Sequence, residues 1–205
     1  MKRLVLLAML AVLSGCIPQR LGPSEPTAAS RPAAPAATQT GAQRVEVIGV
    51  ELPPQIGSFA FTSRQVSGST QLGDTFRYES GAATAELQIY DGARRDIGTG
   101  PDSVSVFQEF ERARLRVLAA WNGRRGAGAI RETKAEPYKP PAGPEFRQVE
   151  YRGLISARSF DTRLLLTGYR DQFVKLTLFL PTEVMESRGA EIDEFINQLA
   201  ALLVK

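Results

Sequence analysis

Between residues 75 and 90 apolar and polar side chains alternate with a period of two: Phe76 and Tyr78 against Thr75, Arg77 and Glu79, then Ala83, Ala85, Leu87 and Ile89 against Thr84, Glu86, Gln88 and Tyr90. That period predicts two strands, 75–79 and 82–90, each with one buried face and joined at Ser80-Gly81. The same reading predicts strands at 45–52, 59–66, 129–137 and 145–152. From Ile155 to Leu180 the pattern changes: Leu164-Leu165-Leu166 and the run Phe173, Val174, Leu176, Leu178, Phe179 place apolar groups on both sides. A strand pair of that kind belongs at the centre of a sheet covered on both faces, with a turn at Gly168-Tyr169-Arg170-Asp171.

Two stretches with a period near 3.6 supply the covers. The first, 102–121, opens at Asp102 or Ser103, carries Val106, Phe107, Phe110, Ala113, Val117 and Trp121 on one stripe, and stops at Asn122-Gly123. The second, 190–204, aligns Ile192, Phe195, Ile196, Leu199 and Leu203. The expected fold is therefore α+β: a mostly antiparallel sheet flanked by two main helices in an α/β/α sandwich. The stripe of Phe107, Phe110 and Trp121 reads as core packing.

The first 43 residues follow neither period. Lys2 and Arg3 precede a ten-residue apolar run, Leu4 to Leu13, and Ser14-Gly15 provides small residues before Cys16. This is the layout of a secretory signal, too short to span a bilayer. Leu13-Ser14-Gly15-Cys16 resembles a lipobox in all four positions, which implies lipidation of Cys16 and anchoring by more than one acyl chain. Ile17 stands where an aspartate would favour the inner membrane in enteric lipoproteins, so the resemblance implies the outer membrane. Residues 17–43 contain five prolines and seven alanines and almost no large apolar side chain. Such a composition predicts a linker with a coil reach of about 30 Å. The expected organisation is a signal peptide at 1–15, a lipidated cysteine and linker at 16–43, and a folded domain at 44–205.

Composition narrows the chemistry. The whole chain has a net charge of +3, but residues 44–205 carry 21 Lys plus Arg against 21 Asp plus Glu. A neutral domain with interleaved signs lacks the basic stripe of a nucleic-acid binder. There is one cysteine and no histidine. Histidine-dependent triads, general acid/base pairs and zinc sites of the His or Cys type are thereby excluded. No metal or cofactor is expected.

Three places could carry chemistry or recognition. The loop Tyr90 to Asp96, with Tyr90, Asp91 and Arg94, leaves a strand with mixed charge and could grip a partner, although Asp91-Gly92 also suits an ordinary turn. Gly123-Arg124-Arg125-Gly126-Ala127-Gly128 follows a helix and precedes a strand, the reverse of a phosphate-binding loop, and reads as a connector. Acid pairs such as Glu145 with Glu150, or Asp161 with Asp171, could serve a hydrolase if the fold brought them together.

The strings Glu86-Leu87-Gln88-Ile89-Tyr90-Asp91-Gly92 and Leu166-Thr167-Gly168-Tyr169-Arg170-Asp171-Gln172-Phe173-Val174-Lys175-Leu176 are similar to those of a family of bacterial envelope lipoproteins, over about Phe59 to Lys205. The chain also resembles the PsbP-like and DcrB-like fold. That resemblance implies binding or assembly and supplies no catalytic residues. The expected function is a non-enzymatic, lipid-anchored envelope protein facing the periplasm and binding a protein or envelope component, with Tyr90, Asp91, Arg94, Tyr169 and Arg170 as contacts. A small-ligand or lipid-binding domain, with an apolar cavity between the first helix and the sheet, is the alternative. A carboxylate hydrolase ranks third.

Overall fold

The computed structural model describes residues 41–204; the expected signal peptide, Cys16 and most of the linker lie outside them. Two short strands, β1 (Gln43–Val45) and β2 (Val50–Leu52), pair through a 3-10 turn at Glu46–Ile48. There follow β3 (Gln55–Ile56), β4 (Phe59–Gln65), β5 (Asp74–Ser80), β6 (Ala83–Tyr90), helix α1 (Val104–Asn122), β7 (Ala127–Lys134), β8 (Arg147–Ile155), β9 (Arg158–Tyr169), β10 (Gln172–Pro181) and helix α2 (Thr182–Leu202).

The eight longer-range strands form one sheet in the order β3-β4-β5-β6-β10-β9-β8-β7, and all pairings are antiparallel. Two meanders, β3 to β6 and β7 to β10, meet where β6 pairs with β10. Helix α1 carries the chain from the centre of the sheet to its far edge. The architecture is the α+β sandwich that the alternation predicts.

Each central strand serves two cores. On β10, Val174, Leu176, Leu178 and Leu180 join Ala85, Leu87 and Ile89 of β6 and Ile192, Phe195, Ile196 and Leu199 of α2 in the larger core. Phe173, one residue out of phase, faces the other way, with Leu164 and Leu166 of β9, Val149 and Tyr151 of β8, and Val106, Phe110 and Ala113 of α1. The N-terminal segment closes the larger core: Val45, Ile48, Val50, Leu52 and Ile56 are all buried in it. Arg170 Nη1 fastens that segment by donating to the Ile48 carbonyl at 2.6 Å.

Three local expectations need correction. Helix α2 starts at Thr182, eight residues before the start at 190 that its apolar stripe predicts, and Arg188 takes non-helical dihedrals within it. Val184 and Met185 of this first segment pack on the core, and Arg188 Nη2 reaches Ser80 Oγ at 2.9 Å, so tertiary contacts extend the helix past the break. Phe107 lies off the buried stripe of α1: it is 47% exposed, and the Arg147 guanidinium sits 5.0 Å from its ring centre. The central turn falls on Arg170 and Asp171, both with positive φ, rather than on Gly168. Gly168 is a buried strand residue that bridges Gly100, and a Cβ there would lie 1.8 Å from the Gly98 carbonyl oxygen.

Candidate functional site

Helix α1 covers only part of its face of the sheet. Ser103 caps it, accepting from the Val106 N–H at 3.2 Å, and its apolar stripe beds on β8 and β9. Beside its open flank the outward residues of β6 and β10 form a floor: Thr84, Glu86, Gln88 and Tyr90 on one strand, Lys175, Thr177 and Phe179 on the other. The result is a groove along the seam between helix and sheet, with a pocket at each end.

The head of the groove is a pocket of about 370 Å³ between the 71–72 loop, β6, β10 and α1. Glu109 stands on the buried side of α1 at 5% exposure. Its Oε1 accepts hydrogen bonds from the Tyr90 hydroxyl at 2.8 Å and from Arg116 Nη2, while Arg112 Nη1 lies 3.6 Å from Oε2. Lys175 occupies the floor, its Nζ 5.6 Å from the centre of the Tyr90 ring. No carboxylate of the described residues comes within ion-pair distance of that ammonium. Burial, and then the charge of Arg116, push Lys175 down to about 8, with Glu109 and Glu86 opposing. Burial also raises the Tyr90 phenol, and the neighbouring Glu109 carboxylate raises it further. With three cations around one acid, the head carries an excess of positive charge.

The tail of the groove, about 450 Å³, is aromatic. Phe160 stacks on Phe179 with ring centres 5.1 Å apart and planes 7° from parallel. Trp121 lies 6.4 Å from Phe179 and donates its indole N–H to the Gly128 carbonyl at 3.1 Å. The Arg124 guanidinium covers the outer side of Phe179 at 4.1 Å. Arg124 thus belongs to the 123–128 connector and also to the groove.

The residues expected to make contacts gather at one end of the sheet, because Tyr90 pairs with Phe173 and Tyr169 with Gln172. They divide between its two faces. Tyr90 is buried in the head of the groove and packs 5.4 Å from Phe173. Asp91 forms a turn in which Oδ1 accepts the Ala93 N–H at 2.7 Å, and Arg94 Nη2 donates to Gln108 Oε1 of α1 at 2.7 Å. Tyr169 packs against the opposite core, with Arg170 5.2 Å over its ring.

The acid pairs are not brought together. Asp161 is held bidentately by Arg152 at 2.8 and 3.1 Å, whereas Asp171 sits at the far end of β9, roughly 27 Å along the strand. Glu145 pairs with Lys139 at 3.3 Å and Glu150 with Arg163 at 3.0 Å. The space beside α1 is an open groove, charged at its head and largely aromatic at its tail, and not the enclosed apolar cavity of the small-ligand reading. A separate cleft of about 390 Å³ lies between residues 44–47 and the 64–74 loop, and there Arg64 and Asp74 neutralise each other at 2.5 Å. Among the described residues no cluster of three or more acids or cysteines could hold a metal, and no helix is long and apolar enough to cross a membrane.

No family model and no curated protein matches the chain. Solved structures similar to it include the following two. Cyanobacterial PsbP (CyanoP) from Synechocystis sp. PCC 6803 is 13% identical with a TM-score of 0.49, covering 81% of this chain and 95% of that one. The Ran-binding protein Mog1p from Saccharomyces cerevisiae is 12% identical with a TM-score of 0.38, covering 81% of this chain and 94% of that one.

Proposed function

We propose that this chain is a non-enzymatic binding protein of the bacterial cell envelope, anchored through a lipidated Cys16 at the outer membrane, facing the periplasm and gripping a protein partner along the α1 seam. The observation that carries the binding role is Lys175: a half-buried lysine on the floor of an open groove, whose ammonium has no ion-pair partner among the described residues. Burying an unpaired charge costs stability, and a surface that keeps one is suited to a ligand that supplies the missing partner. Tyr90 lines the head of this groove, and Asp91 and Arg94 belong to the turn that follows it, Arg94 being held to Gln108 of α1. Tyr169 and Arg170 flank the same end of the sheet and extend the contact surface around it.

The anchor reading rests on the Leu13-Ser14-Gly15-Cys16 run and the proline-rich stretch behind it. A linker of that kind lets the groove search a short distance from the membrane. Two measurements test the proposal. Cys16→Ser should move the chain from the membrane fraction to the soluble envelope fraction and remove the lipid mass. A photo-crosslinking side chain placed in the groove at Gln88 or Thr177 should capture one and the same protein in cells, whereas the same group at Leu154 or Val204, exposed elsewhere on the domain, should not. Capture that is equal from all four positions, or absent from the groove, overturns the binding site.

A further inference from the structure

We infer that the groove receives an extended acidic peptide segment of the partner, with a carboxylate at the Lys175 head and an aromatic side chain four residues away in the pocket lined by Trp121, Arg124 and Phe179. The inference rests on the binding role proposed above and names the chemistry that the site selects.

Three features of the groove fix this occupant. The first is charge. Lys175, Arg112 and Arg116 converge on the head, and Glu109 is the only acid lining that pocket. Glu109 is already shared between Tyr90 and the two arginines, which leaves the Lys175 ammonium to an incoming anion. The second is spacing. Lys175 and Phe179 lie on the same face of β10, four residues and roughly 13 Å apart. An extended peptide has the same rise and also returns to the same face every second residue, so positions i and i+4 reach both ends of the seam. The third is the floor between them. Thr84, Gln88 and Thr177 present hydroxyl and amide groups, Glu86 opposite Thr177 is countered by Arg77 at 3.7 Å, and the backbones of β6 and β10 are already paired to each other. The peptide therefore lies across side chains and does not add a strand.

Trp121 lines the aromatic pocket and is the only tryptophan in the chain, so its fluorescence reports occupancy directly. The experiment titrates the full chain in detergent with tryptophan-free peptides bearing Glu and Phe four positions apart, Ser and Thr between them, in both orders. At least one order should bind saturably, and replacing its Glu by Gln should weaken it by about tenfold or more. Lys175→Met should remove the preference for Glu over Gln, and Phe179→Leu should remove the preference for Phe over Ala.

A readout on the unaltered chain guards against a variant that misfolds. Lys175 faces Arg112, Arg116 and Glu109 from α1 and Glu86 and Tyr90 from β6, and among these it is the group that loses charge near pH 8. Affinity for the Glu peptide should fall between pH 7 and 9.5, whereas affinity for the Gln peptide should stay level. The inference is overturned if the unaltered chain binds no peptide, if Glu and Gln peptides bind alike, or if vesicles of anionic phospholipid change Trp121 fluorescence where peptides do not. Groove-specific crosslinking together with equal Glu and Gln affinities would sink the acidic segment and leave the binding role standing; loss of the crosslinks would sink the binding role itself.

Discussion

Lys175→Met should stabilise the unliganded domain, and the gain should vanish as the pH is raised. In the folded chain Lys175 is pushed down to about 8 from an ordinary 10.5, chiefly by burial. The gap corresponds to roughly 3 kcal/mol against the folded state while both states are protonated, since each pH unit is worth about 1.4 kcal/mol. The sign follows from proton counting. Between pH 8 and 10.5 the unfolded chain still binds the proton that the folded chain has released, so stability rises with pH across that window. Methionine keeps the stem and removes the ammonium, and with it this dependence. Urea unfolding at pH 7 and pH 9.5 would measure both proteins, and the unaltered chain should gain roughly 2 kcal/mol relative to the variant. Taking the difference cancels the tyrosines: Tyr78, Tyr90, Tyr138 and Tyr151 are all raised by burial, so ionisation in the unfolded chain destabilises both proteins alike above pH 10. A difference between the two proteins that stays constant from pH 7 to 9.5 would refute the claim that this ammonium is held at a desolvation cost.

Two further substitutions test the packing on either side of the sheet. Gly153→Ala would place a Cβ 2.3 Å from Cζ2 of Trp121, so urea unfolding should show a loss of about 1–3 kcal/mol together with a shifted Trp121 emission maximum. Phe195→Ala, in the opposite core, removes a fully buried ring 4.3 Å from Phe59 and 5.9 Å from Tyr78, and should cost about 3–5 kcal/mol in the same assay while leaving the Trp121 spectrum of the folded protein unchanged.

The sheet was legible because its strands alternate so regularly that burial and sequence coincide: Ala83, Ala85, Leu87 and Ile89 are buried and Thr84, Glu86 and Gln88 are not. The doubly apolar hairpin was legible for the same reason. The start of α2 was not, because Gly189 reads locally as a stop and only contacts with a strand far away in sequence carry the helix back to Thr182. Of the groove, the sequence reading names Tyr90, Trp121 and Arg124, the last two as core packing and connector, and misses Glu109 and Lys175. Yet the sequence holds two signals for the rest. Glu109 sits three residues after Val106 and four before Ala113, so an acid interrupts the buried stripe of α1. Lys175 interrupts a run of apolar residues in a central strand. Each alone looks like a side chain that could snorkel to water. Their meeting across the seam depends on where α1 lands on the sheet, which periodicity does not specify.

The open groove follows from a mismatch of widths. Seven inter-strand spacings of about 4.8 Å make the sheet roughly 34 Å across, and one helix is only about 10–12 Å wide. On the α2 face the chain makes up the difference with its own N-terminal segment, which buries Ile48, Val50 and Leu52 and is pinned by Arg170. On the α1 face nothing of the described chain does so, and the alternation of β5 and β6 has been written to match, with Thr75, Arg77, Glu79, Thr84, Glu86 and Gln88 turned outward. Most charges on that open half are balanced locally, as in Arg77 with Glu79 at 2.8 Å and Glu86 at 3.7 Å. Lys175 is the exception, and it lies where the shoulder of α1 shields it from water. A charge left without an ion-pair partner in a concave part of the α1 face is better explained by what the face receives than by what it contributes to folding, since on stability grounds alone methionine would serve there better.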